Sequence, residues 1–352
     1  MCCTISTVTR RTFVASTTCA FAAAGATTLS QVPLGLDLFS IRSQGWDAFQ
    51  FLDYAAKWGI QAVHFSEIRF LGAIDDDGHV RKVGDYARKL GVRVELGMRS
   101  ACPTSKAFDP KGGTAEQQIV KMLHAAKLAG SPIVRCFLGT SADREGDGGI
   151  ERHIESMVQT LRSAKTRIVN AGLKMAIENH AGDMQGRELK LLVEAAGKDF
   201  VGVCLDSGNP LWALEDPHLT LETLAPYVLT SHVRDTAVWR VPQGAAVAWT
   251  RMGDGNIGID DYVRKYAELC PGRPLSLEII VTGPRIYPFL DPKFWGPYKN
   301  QPAWEFSRFL ALADRGTPRP IEPPLTREQA IVREREDLEA SIQYTKKLLG
   351  KS

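Results

Sequence analysis

Four short runs in the second half of the chain each end in a side chain that can bind a cation or carry a proton. They are Ile177-Glu178, Leu205-Asp206, Ser231-His232 and Leu277-Glu278. In an extended strand, alternate side chains share a face. In Met175-Ala176-Ile177-Glu178 and Leu275-Ser276-Leu277-Glu278 the bulky residues take one face; the small residue and the glutamate take the other. Gly202, Cys204 and Asp206 share a face in the same way, as do Thr230 and His232. Burying an ionised carboxylate without a partner is costly, and crowded carboxylates drive one another to protonate. A divalent cation removes both penalties. Three oxygen ligands and one nitrogen favour Mn²⁺, Mg²⁺ or Co²⁺, with Zn²⁺ also admissible. The competing reading of each residue taken singly is a polar strand end near solvent.

These side chains converge only if the strands are neighbours pointing the same way. Eight β-branched or apolar runs are legible: Pro33–Phe39, Ile60–Ser66, Val92–Met98, Ile133–Leu138, Lys174–Glu178, Val201–Asp206, Val228–His232 and Leu275–Ile280. Amphipathic segments lie between them, among them Trp46–Trp58, Val80–Leu90, Ala115–Ala129, Ile150–Ala171 and Arg187–Ala196. Alternating strands and helices call for a parallel sheet, and eight such units predict an α/β fold, a (β/α)8 TIM barrel. An open doubly wound sheet is disfavoured, because no GxGxxG follows the first strand. With bulky residues facing the helices, Glu178, Asp206, His232 and Glu278 point inward at the C-terminal rim. After the eighth strand, residues 283–325 form a Pro- and aromatic-rich insertion with a short helix, Trp304–Ala313. Thr326 and Gln329 then make a capping box that opens a terminal helix. An insertion at that point lies over the mouth of the barrel, where function sits.

Residues 1–26 read as a separate targeting segment: Arg10-Arg11 ahead of Phe13, a weakly apolar stretch, then Ala24-Gly25-Ala26. That layout resembles a twin-arginine signal and predicts an exported, periplasmic protein with residues 27–352 as its folded part; a cytoplasmic location is the alternative. Across 352 residues, Lys plus Arg (43) nearly balances Asp plus Glu (40), for a net charge of +3. This argues against a nucleic-acid or membrane partner held by bulk charge. Self-association is left open. Of seven cysteines, Cys2, Cys3 and Cys19 fall in the leader and the other four are far apart, so no disulfide framework is read.

The motifs Ile177-Glu178-Asn179-His180, Leu205-Asp206-Ser207-Gly208-Asn209-Pro210, Ser231-His232-Val233-Arg234-Asp235 and Leu277-Glu278 resemble those of the sugar isomerase/epimerase superfamily, the xylose-isomerase-like TIM barrels. Gly253-Asp254-Gly255-Asn256-Ile257 is similar to the glycine-rich turn ahead of that family's seventh helix. The resemblance implies that Glu178, Asp206, His232 and Glu278 hold one metal ion. It also implies that Glu178 and Glu278 act as an acid/base pair on a small carbohydrate, by way of an enediolate. The expected activity is an isomerase or epimerase. The alternatives are a metal-dependent lyase or dehydratase on a keto-sugar or oxidised glycoside and, more remotely, a non-catalytic sugar-binding barrel.

His180 and Arg234 continue the inward faces past Glu178 and His232, and are expected to touch substrate. Asn209 stands where ketose epimerases tend to carry a histidine, a departure from that branch. Arg234 or Arg240 is the candidate for the family's substrate arginine. His64 is expected to face inward near the end of strand two, in a core role or as a substrate contact. Among the mouth tryptophans Trp239, Trp249, Trp295 and Trp304, Trp295 is expected to stack on sugar, with packing of the insertion on itself as the competing reading. His79, His124, His153 and His218 read as surface residues.

Overall fold

The computed structural model describes residues 28–321 and 323–351. The twin-arginine-like segment and its three cysteines lie outside them. The strands in chain order are β1 Leu34–Asp37, β2 Ala62–Phe65, β3 Arg93–Ser100, β4 Ile133–Phe137, β5 Lys174–Glu178, β6 Val201–Asp206, β7 Val228–His232, β8 Asp235–Val241, β9 Gly244–Thr250, β10 Leu275–Leu277 and β11 Arg285–Tyr287. The helices are α1 Ala48–Lys57, α2 Asp77–Lys89, α3 Ala115–Ala129, α4 Gly149–Ala171, α5 Gly186–Ala196, α6 Pro217–Leu224, α7 Ile259–Leu269, α8 Ala303–Asp314 and α9 Arg327–Leu348.

Eight of these strands form one parallel sheet in the order β10-β1-β2-β3-β4-β5-β6-β7. A parallel bridge between Val233 and Leu277 brings its two edges together, giving a nearly closed (β/α)8 barrel. The helices form where capping and periodicity agree. In α3, Thr114 and Gln117 cap each other reciprocally. Ile119, Met122, Leu123, Ala126 and Ala129 then make the buried stripe, and Gly130 stops the helix at φ 77°. The expected Thr326–Gln329 capping box opens α9, whose Leu338 and Ile342 are buried.

Two expectations change. The eighth strand was expected to reach Ile280 but ends at Leu277. Beyond it the Ile279 N–H donates to Ser40 Oγ at 2.9 Å, so the backbone leaves the ladder and turns over the mouth. The stretch between β7 and α7 is also no plain loop. There β8 and β9 form an antiparallel hairpin, and β11 from the later insertion pairs with β9 to complete a three-stranded sheet. The two insertions at the barrel mouth are therefore one structure, braced by Phe306 and Phe309 of α8 against Phe289.

Candidate active site

Glu178 ends β5, Asp206 ends β6, His232 ends β7, and Glu278 is one residue beyond β10. All four are buried. One ligand atom from each lies within 4.8 Å of the others, as the strand faces predict. Asp206 is fixed by its own turn, its Oδ1 accepting the Gly208 and Asn209 N–H groups at 2.7 Å each. His232 is fixed from below: its Nε2 is 2.8 Å from His64 Nδ1 and 3.3 Å from Asp37 Oδ2. Asp37 is itself held by the Ser66 hydroxyl at 3.0 Å and the Phe39 N–H at 2.8 Å. This turns His232 Nδ1 into the cluster, 3.1 Å from Glu178 Oε2 and 3.3 Å from Glu278 Oε2, where it makes no hydrogen bond.

Contrary to what the sequence implied, the carboxylates are not left without cationic partners. Two buried guanidinium groups already face these carboxylates. Arg135, in the middle of β4, donates from Nε to Glu178 Oε2 at 2.5 Å. Arg234 lies against both Asp206 and Glu278. Its stem passes over Gly208, where a Cβ would come within 2.7 Å of Arg234 Cδ. Charge balance alone therefore does not demand a metal. The donor set supports one nonetheless: three carboxylates converge on an imidazole nitrogen that is buried and unpartnered.

The electrostatics follow from this arrangement. Burial pushes Glu278 up, but Arg234 and His232 outweigh it and leave it at about 2. Burial also opposes ionisation of Glu178, yet Arg135 and His232 hold it well below the usual carboxylate range. Asp206 goes the other way, to about 7, because burial with Glu178 and Glu278 nearby prevails over Arg234. Burial works against a charged His232, but Cys204, Glu178 and Glu278 raise it well above the usual value. The site therefore favours positive charge at its centre and keeps two glutamates ionised.

A cleft of about 280 Å³ opens above the cluster, lined among others by Arg99, Arg135, Glu178, His180, Asn209, Arg234, Trp249 and Glu278. His180 stacks on Phe137, ring centres 3.9 Å apart, and pairs through Nδ1 with the Gly139 carbonyl at 2.7 Å. The next residue, Ala181, has φ 44°, a strained turn that aims the ring. Asn209 donates to Glu178 Oε1 at 3.2 Å. His64 is buried beneath His232, does not line the cleft, and pairs through Nδ1 with His232 Nε2.

Two more expected residues, besides His64, stay apart from the cleft. Arg240 is near the tip of the hairpin, 3.5 Å from Asp314 and over the Phe289 ring. Trp295 donates to the Phe289 carbonyl at 2.8 Å and packs edge-on against Phe306, so the insertion does fold on itself there. His153, expected at the surface, is buried and paired with Thr104 at 2.8 Å. Arg135, Asp37 and Arg99 were not anticipated. Arg135 did leave a signal, a lone charge inside the apolar run Ile133-Val134-Arg135-Cys136-Phe137, in register with inward-facing Ala176.

Known proteins resemble this chain in the same terms. Over 228 residues it is 25% identical to 3-oxo-isoapionate decarboxylase of Pectobacterium atrosepticum, covering 64% of this chain and 69% of that protein. D-psicose 3-epimerase of Clostridium cellulolyticum, solved with D-tagatose, superposes with a TM-score of 0.58 at 13% identity, covering 89% of this chain and 99% of that one. The IOLI protein, solved with a bound zinc atom, superposes with a TM-score of 0.56 at 14% identity over 89% of this chain and 99% of its own. At such identities the superpositions speak for the fold alone. The sequence model described as xylose isomerase-like TIM barrel matches residues 52–291, and the chain belongs to that family.

Proposed function

We propose that the protein is a divalent-metal-dependent isomerase or epimerase of a small keto-sugar, working through an enediolate. The observation that carries this reading is the convergence of two buried glutamates, Glu178 and Glu278, on either side of His232 in one cleft. Glu178, Asp206, His232 and Glu278 would hold the ion, which when bound polarises a substrate carbonyl and acidifies the neighbouring C–H. One glutamate takes that proton. The second takes the proton of the neighbouring substrate hydroxyl and delivers it to the opposite face or to the adjacent carbon, and the first passes its proton to the oxygen so exposed, which restores both carboxylates. Arg234 and Arg135 keep both carboxylates charged and aimed. The donor set supports the reading, as does membership of the xylose isomerase-like family.

One observation favours a second reading, a lyase in which a β-hydroxyl leaves from the same enediolate or in which loss of CO₂ from a keto acid generates it. Arg99 reaches the cleft with no carboxylate partner among the described residues, leaving a positive charge for an acidic substrate. The sequence relative named as a decarboxylase fits such a substrate. Incubation of the metal-loaded protein with keto-sugars and keto-sugar acids in D₂O separates the two. Deuterium uptake with otherwise unchanged mass supports the isomerase or epimerase, and loss of CO₂ or water supports the lyase. No exchange and no loss in any of them overturns both.

A further inference from the structure

The cleft at Glu278 does not end at its own rim. A larger cavity of about 670 Å³ adjoins it, and the two share Trp249 and Ile280 as a common wall. The backbone leaving Glu278 runs as residues 279–284 along this cavity, so Ile280 borders both spaces. The smaller cleft suits a single sugar ring, whereas the larger cavity has the volume of a small-molecule site.

The hairpin gives this cavity an aromatic side. On β8 and β9, Trp239 faces Ala246 across the strands, and Ala237 faces Ala248. These four side chains form a cluster separate from the main core. Trp239 and Ala248 reach the cavity, while Trp249 stacks on Trp212, ring centres 4.0 Å apart, and carries the Arg234 guanidinium 4.3 Å above its own ring. Two further lining residues, Val281 and Leu325, are apolar and each 46% exposed.

The charges around the cavity are engaged within the protein. Arg42 is 3.3 Å from Glu334, Asp337 is 3.9 Å from Arg251, and Arg319 donates to the Asp254 carbonyl. A neutral occupant asks nothing further of them, whereas the exposed aliphatic surface of Val281 and Leu325 is stabilised by an apolar one.

Resting on the proposed chemistry at Glu178 and Glu278, we infer that this cavity is a second subsite. It takes a neutral aryl or comparably apolar group joined to the reacting sugar, so the substrate is a glycoside-like conjugate and not a free monosaccharide.

The test is calorimetric titration of the full-length, metal-loaded protein with methyl β-D-glucopyranoside and with 4-nitrophenyl β-D-glucopyranoside. The aryl compound is expected to bind at least 10-fold more tightly. That gain should disappear in Val281→Asp, a change at a half-exposed position, and in Ala248→Trp, which fills the space. Equal affinity for the two glucosides overturns the subsite, as does a gain that survives both substitutions. A concentration-dependent dimer that Val281→Asp dissociates would make the cavity a contact between copies of the chain, and would likewise overturn it. Deuterium exchange into D-fructose, measured in parallel, keeps the two ideas separable. Exchange without aryl preference removes the subsite and leaves the proposed chemistry; aryl preference without exchange in any keto-sugar keeps the subsite and removes the chemistry.

Discussion

Glu278 faces Arg234, His232 and the open cleft at once, which makes it the most informative residue to alter. Glu278→Gln keeps the shape but removes the base. Turnover should fall by about 10²–10⁴-fold, with the far-UV circular dichroism unchanged. Activity within a factor of two of the parent would end the acid/base assignment. Asp206→Asn probes the ligand set separately, because the amide oxygen can still accept from the Gly208 and Asn209 N–H groups. Metal per chain, read by elemental analysis, should drop well below that of the parent; an unchanged ratio would remove Asp206 from the ligands. The four candidate ligands were legible as residues, because period-two alternation is written in each strand by itself. Their partners were less so. Arg135 pairs with Glu178 across 43 positions of sequence, and nothing local to either residue specifies that pair.

Among the elements, the start of α5 shows how a buried carboxyl couples neighbouring units of the barrel. Glu215, ahead of α6, accepts the Gly186 N–H at 2.9 Å and the Thr220 hydroxyl at 2.6 Å. Burial lifts it from the ordinary 4.5 to about 7, against those two hydrogen bonds. The folded state therefore holds a proton that the unfolded chain has lost between those two values. The stability this provides is complete below about 4.5 and is lost as the pH rises through 7. Glu215→Gln should raise stability relative to the parent more at pH 8 than at pH 5, by up to about 3 kcal/mol in denaturant unfolding. An equal difference at both pH values would show that the carboxyl is ionised throughout. The β8–β9 hairpin was the element the sequence concealed. Its strands take their place from β11, 35 residues beyond the end of β9, and the run between β7 and α7 carries no periodicity strong enough to separate a hairpin from a mouth loop.

At the scale of the whole molecule, the four candidate ligands sit on strands spread from β5 round to β10, so a bound ion ties together the two edges where the barrel closes. An ion that binds only the folded state stabilises it by mass action, about 2.7 kcal/mol at 100 times its dissociation constant. For a chain of this size, that is a rise in Tm of several degrees. Stripping with a chelator should lower Tm by that amount, and adding Mn²⁺ back should restore it. A Tm indifferent to both would mean that Arg135 and Arg234 alone neutralise the site.

The sequence by itself determined the order of the eight strands, the faces their side chains take and the ends of most helices. Each of these depends on periodicity and caps within a few residues. Tertiary structure alone decided that two arginines meet the carboxylates, that Arg240 and Trp295 stand away from the cleft, and that two insertions join into one sheet walling a second cavity. Those outcomes depend on which distant segments become neighbours when the sheet curls into a barrel, and on the burial that follows.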